Sequence, residues 1–111
     1  IVPLGGLKIG DTITEFHIVG QMDSAGNTVT LDADLRKMVS SAAGNTDSSV
    51  GSITQVSGTA DTALNATTAS KSGLTEVVDE GDTYYVKITG STTATTDIEI
   101  QGVVVTTNWS A

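Results

Sequence analysis

Val29, Leu31, Ala33 and Leu35 alternate with Thr28, Thr30, Asp32, Asp34 and Arg36. A strict period of two puts the four apolar side chains on one face of an extended chain, whereas a helix would scatter them around its axis. The segment predicts a strand with one buried and one wet face. Tyr84, Val86 and Ile88 alternate in the same way with Thr83, Tyr85, Lys87 and Thr89. Two further runs break the period. Ile13 and Phe16 sit on opposite parities, so the strand from Asp11 to Gly20 is expected to be bulged or covered on both sides. Ile98, Ile100 and Val104 share one parity but Val103 and Val105 take the other, which predicts a bulge or two-sided burial near Gly102. Weaker strands are expected at Ser52–Ser57 and Thr62–Thr67.

Turn-forming residues separate these runs. Asp23-Ser24-Ala25-Gly26-Asn27 reads as a short hairpin connection, with Gly or Asn at positive φ. Ser40–Ser49 is the longest polar stretch and is expected to be a mobile loop, with one helical turn at most between Lys37 and Ala43. Ser70–Gly73 and Ser91–Thr96 are further loops. Gly10-Asp11-Thr12-Ile13 and Gly81-Asp82-Thr83-Tyr84 echo one another. Either the same turn chemistry arises twice, or two hairpins are related by pseudo-symmetry. With 111 residues, the chain has the size of one domain, 1–111, built on a single core. Nineteen threonines, eleven serines and twelve glycines suit sheet and turn, and aromatics at 4% leave a thin aliphatic core. The expected fold is all-β: an antiparallel β-sandwich, jelly-roll-like, with six to eight short strands. Ile1-Val2-Pro3-Leu4 reads like a strand entering mid-domain, so a further N-terminal segment is expected before it.

Composition narrows function mainly by exclusion. Thirteen acidic against five basic residues give a net charge of -8, which repels phosphate backbones and anionic lipid and argues against a nucleic-acid or membrane partner. No cysteine is present, so disulfides and thiolate chemistry drop out. The one histidine, His17, lies between Phe16 and Ile18 and is expected to face solvent or a subunit contact. No nucleophile elbow, phosphate-cradling loop or paired-histidine metal motif accompanies it. Asp32 with Asp34, and the group Glu76, Asp79, Glu80 and Asp82, supply carboxylates, and spacing alone does not assemble them into a glycosidase cleft. Asp79, Glu80 and Asp82, or Asp23 and Asn27, are oxygen donors of the kind calcium takes, without matching the regular calcium loop. Asn65-Ala66-Thr67 and Asn108-Trp109-Ser110 match the glycosylation sequon by composition. Trp109 either plugs the sandwich end or makes a subunit contact, and Tyr85 is the other outward aromatic. Tyr85, Trp109 and His17 are therefore the candidate interaction residues. Neither a cofactor nor catalysis is expected.

Along the hairpin Gly10-Asp11-Thr12-Ile13-Thr14 to Asp23-Ser24-Ala25-Gly26-Asn27-Thr28-Val29-Thr30-Leu31, through Gly73-Leu74 to Gly81-Asp82-Thr83-Tyr84-Tyr85-Val86-Lys87-Ile88, and into Asp97-Ile98-Glu99-Ile100-Gln101-Gly102-Val103-Val104-Val105, the chain resembles small β-sandwich proteins of tailed-phage virions. The likeness runs from about Leu4 to Thr107. It implies a capsid decoration or cement protein on the particle exterior, commonly a homotrimer bound to the major capsid protein. The same group implies an alternative, a fibre-head or adhesin domain that binds a host receptor or glycan. Decoration proteins commonly carry an N-terminal arm, which this sequence does not show. The resemblance brings no catalytic residues.

Overall fold

The computed structural model describes residues 1–23, 28–58, 61–92 and 97–108. Among the described residues nine antiparallel strands follow in order: β1 (Val2–Leu4), β2 (Thr12–Asp23), β3 (Val29–Ser41), β4 (Gly44–Gly58), β5 (Thr62–Leu64), β6 (Ser70–Lys71), β7 (Glu76–Val77), β8 (Asp82–Thr92) and β9 (Asp97–Asn108). They form two packed sheets. One has the order β1-β8-β3-β4; in the other, β2 pairs with β9 on one side and with the short β5, β6 and β7 on the other. The β-sandwich expected from the alternation is thus present. Its strand count exceeds six to eight because one sheet edge is cut into pieces of two or three residues.

β2 pairs with β9 from Thr12↔Asn108 to Asp23↔Asp97, and β3 pairs with β8 from Val29↔Thr92 to Val39↔Asp82. Two long antiparallel pairs, β2 with β9 and β3 with β8, thus lie one in each sheet. β4 turns back beside β3 in the same sheet. Residues 24–27 of the hairpin connection expected at Asp23–Asn27 lie outside the described residues, but the strands on either side of it, β2 and β3, pair with different partners in different sheets and so are not the two arms of one hairpin. Local turn chemistry looks the same in both cases, and only long-range pairing decides between them.

The alternating residues form the core. Val29, Leu31, Ala33 and Leu35 of β3 are buried with Phe16, Ile18 and Met22 of β2, Ile53 of β4 and Val86 of β8. Burying a large aliphatic or aromatic side chain contributes roughly 1.5–3 kcal/mol, so this short set carries much of the stability. Both parity breaks are bulges. Thr14 is the extra residue between the Ile13 and Glu15 pairs, and Gln101 is the extra residue between Gly102 and Ile100. The second bulge turns Ile98, Ile100, Val103 and Val105 to the core side, where they pack on it, and leaves Val104 outside, 42% exposed.

The Ser40–Ser49 stretch is a correction. β3 continues to Ser41, a two-residue turn at Ala42 and Ala43 follows, and β4 starts at Gly44, with Arg36↔Ser49 through Ser41↔Gly44 in register. Neither a long loop nor a helical turn forms. Residues 44–49 are exposed, so nothing selects an apolar face there, and the alternation that betrays a strand is missing. Thr62–Thr67 is strand only as far as Leu64. Most of Ser91–Thr96 lies outside the described residues. The Gly-Asp echo is real at the level of turns. Asp11 N donates to Lys8 O and Asp82 N to Asp79 O, with Gly10 and Gly81 at φ 94° and 87°, a backbone state that favours glycine at the third turn position. The strands that follow, β2 and β8, lie in different sheets.

Candidate interaction surface

β3 and β8 hold alternate residues outward, and β4 adds its own beside them. On this outer face the Arg36 guanidinium is fixed between two carboxylates. Nη1 donates to Asp34 Oδ2 at 2.5 Å and Nε donates to Asp47 Oδ1 at 3.1 Å. Tyr85, opposite Arg36 in register, donates its hydroxyl to Asp47 Oδ2 at 2.6 Å. Ser49 and Ser52 donate to Asp34 Oδ1. Burial raises the Asp34 pKa, but the hydrogen bonds from Ser49, Arg36 and Ser52 outweigh it and hold the carboxyl below its usual value. The Tyr85 hydroxyl, ahead of Arg36, lowers the pKa of Asp47, and Asp47 raises that of Tyr85 in turn. Tyr85 is half-buried and committed to this network.

His17 lies on the opposite outer face, on β2 between buried Phe16 and Ile18. Its Nδ1 stands 3.0 Å from Glu15 Oε1, and Thr106 donates to Glu15 Oε2 at 2.8 Å. The outward placement agrees with the alternation. Tyr85 and His17 are separated by the thickness of the sandwich, so the fold does not bring them together into one patch. Trp109 lies outside the described residues.

Reasoning from sequence missed a clamp at one end of the core. Lys37 follows the buried Leu35 on the inward parity of β3, and Tyr84 is its register partner on β8. Both reach Glu76 of β7 in the other sheet: Lys37 Nζ donates to Oε2 at 2.9 Å and Tyr84 Oη donates to the same oxygen at 2.8 Å. Tyr84 is only 4% exposed. Burial first, then the Glu76 carboxylate, pushes its pKa well up, and the hydrogen bond to Glu76 raises that of Lys37. A lysine on an otherwise apolar parity was the available signal. The acidic run nearby is occupied in structure: Asp82 Oδ2 accepts from Asp79 N at 3.0 Å and lies 3.3 Å from Tyr84 Oη. Among the described residues no cluster of three or more His, Cys, Asp or Glu is placed to hold a metal ion. Of the pair Asp23 and Asn27, Asn27 lies outside the described residues, and Asp23 accepts from Gln21.

The sheet edges differ in kind. β1 is three residues long with Pro3 in it, and the edge beside β2 is divided among β5, β6 and β7. β4 is fifteen residues long, pairs only with β3 among the described residues, and contains no Pro, Lys or Arg. Its one charge, Asp47, is held by Arg36 and Tyr85. β9 is the other long free edge, pairing only with β2 among the described residues. The two lie on opposite flanks: Leu74, between β6 and β7, packs over Gly51 of β4, while Ile98 of β9 packs over Gly90 of β8. Comparison of the chain with protein-family models, with curated proteins and with solved structures gives no match.

Proposed function

We propose that the chain is a non-enzymatic structural protein of a phage virion, a capsid decoration protein that assembles as a homotrimer, binds the major capsid protein and stabilises the shell from outside. The phage assignment rests on the sequence resemblance. The observation that supports assembly is the β4 edge. An unpaired strand presents a row of backbone donors and acceptors, and proteins that stay apart blunt such edges with proline, lysine or short strands. β4 carries none of these over residues 44–58. Bulges at Val50 and at Thr54–Gln55 interrupt it, leaving 44–49 as an exposed run beyond both. A cyclic trimer requires two different patches on each copy, and the β4 and β9 flanks provide two. The one charge within residues 44–49, Asp47, is paired with Arg36, so contact there meets no unpaired carboxylate on the β4 side.

Copy number per particle tests the role. Quantitative electrophoresis of purified virions is expected to find hundreds of copies, in proportion to the shell lattice. A count of a few per particle would place the chain at a fibre tip and refute decoration.

A further inference from the structure

Pairing within one copy decides which strand of a second copy can meet the β4 edge. Only Ala42 and Ala43 separate β3 from β4, so the flanking residues Ser41 and Gly44 exchange backbone hydrogen bonds with each other. Every second pair along the hairpin does the same, Val39 with Thr46 and Lys37 with Ser48. The residues between them turn their backbone groups the other way, and accordingly Ser40 N donates to Gly81 O on the β8 side. By this alternation Asn45, Asp47 and Ser49 point their N–H and C=O groups out of the sheet edge. Among the described residues no strand lies there to meet them.

One row of contacts crosses the molecule from flank to flank. Ser48 pairs with Lys37, Lys37 Nζ reaches Glu76, Glu76 pairs with Ile13, and Ile13 with Thr107. Ser48 of β4 and Thr107 of β9 therefore stand at about the same height. Strands of twelve or thirteen residues, such as β2 and β3, are roughly 40 Å long, and only the long axis of the 48 × 32 × 19 Å slab accommodates them. Both sheets thus run along that axis. From the row, β2, β4 and β8 run away toward the far end, whereas β3 and β9 run up to it. Rotation about an axis along the strands preserves direction and height. It brings the β4 run of one copy beside the β9 run of the next, antiparallel and without slip along the strands. Slip is what turns a head-to-tail ring into a filament. The other edges fit less well. β8 beyond β1 would pair with β4 in parallel, which is less stable per residue, β1 is three residues long with Pro3 in it, and β4 against β4 closes a dimer. β9 has no bulge of its own over residues 102–108 and no charge there. Resting on the trimer reading above, we propose that residues 44–49 of each copy pair antiparallel with residues 102–108 of the next, around an axis parallel to the strands.

The chain has no cysteine, so introduced thiols report the contact directly. Ser48→Cys and Asn108→Cys, both at exposed positions, are treated with a short bifunctional maleimide, each alone and after refolding as a mixture. The mixture is expected to give linked dimers that neither variant gives alone, and a chain carrying both substitutions is expected to be linked up to three copies and no further. Amide hydrogen exchange adds a second readout. Asn45, Asp47 and Ser49 should exchange about tenfold more slowly in the assembly than in the Thr46→Lys, Ser48→Lys chain, while Val39 and Lys37 exchange alike in both. In a chain that sediments as a trimer, self-linking of Ser48→Cys, no link in the mixture, or unprotected amides at Asn45, Asp47 and Ser49 overturns the pairing and leaves the trimer reading standing. Links beyond three copies overturn the ring. A chain that sediments as a monomer overturns the trimer reading and the pairing with it.

Discussion

At the scale of single residues, the Lys37–Glu76–Tyr84 clamp joins the two sheets through one carboxylate oxygen. Glu76→Ala would leave a buried tyrosine hydroxyl and a half-buried ammonium without their partner. A loss of about 1–3 kcal/mol is expected, readable as a fall of several degrees in Tm. The pH dependence has a definite sign. Lys37 and Tyr84 both have raised folded-state pKa values, so their contribution is complete below the unfolded values of about 10 and is lost as pH rises through the folded ones. Thermal melts from neutral to alkaline pH should show this decline, and Glu76→Gln should flatten it. On the acid side Asp34 runs the other way. Its lowered pKa gives a contribution present above the unfolded value of about 3.9 and lost as pH falls through the folded one. Asp34→Asn should shrink the acid-induced loss without touching the alkaline one.

At the scale of strands, close approach and burial decide what the sheets tolerate. A Cβ on Gly20 would fall 1.9 Å from the Glu99 carbonyl oxygen across the β2–β9 pair, so Gly20→Ala must push the strands apart. A cost of about 1–3 kcal/mol or more is expected from denaturant unfolding, although alanine suits a strand better than glycine. Phe16→Ala, fully buried, should cost about 3–5 kcal/mol. These elements also show what the sequence made legible. β3 and β8 were readable because each has one face on the core and one in water, which writes a period of two into the residues. β2 and β9 were readable as irregular, because bulges at Thr14 and Gln101 shift the apolar parity. β4 from Gly44 to Ser49 was not, since both its faces meet solvent. β2 and β3 were misread as the arms of one hairpin because which strand pairs with which depends on residues far away in sequence, such as Asp97–Asn108 for β2. The clamp was hidden because Lys37 and Glu76 are brought together only by the packing of the sheets.

At the scale of the whole molecule, a slab of 48 × 32 × 19 Å has a core one side chain deep from each sheet and long edges for its size. Burial per residue is limited in so small a domain, and pairing between copies would add both hydrogen bonds and covered surface. Sedimentation velocity should find a species of three chain masses, where the chain is 11.3 kDa. Thr46→Lys with Ser48→Lys, at exposed positions on the β4 edge, should convert it to monomer while changing stability by about 0.5 kcal/mol or less. Cryo-electron microscopy of virions that contain this chain tests the central claim most directly. A decoration protein predicts three-fold clusters of sandwich-shaped density repeated over the outer shell. A bare shell, or density only at the tail or fibre tips, would contradict it.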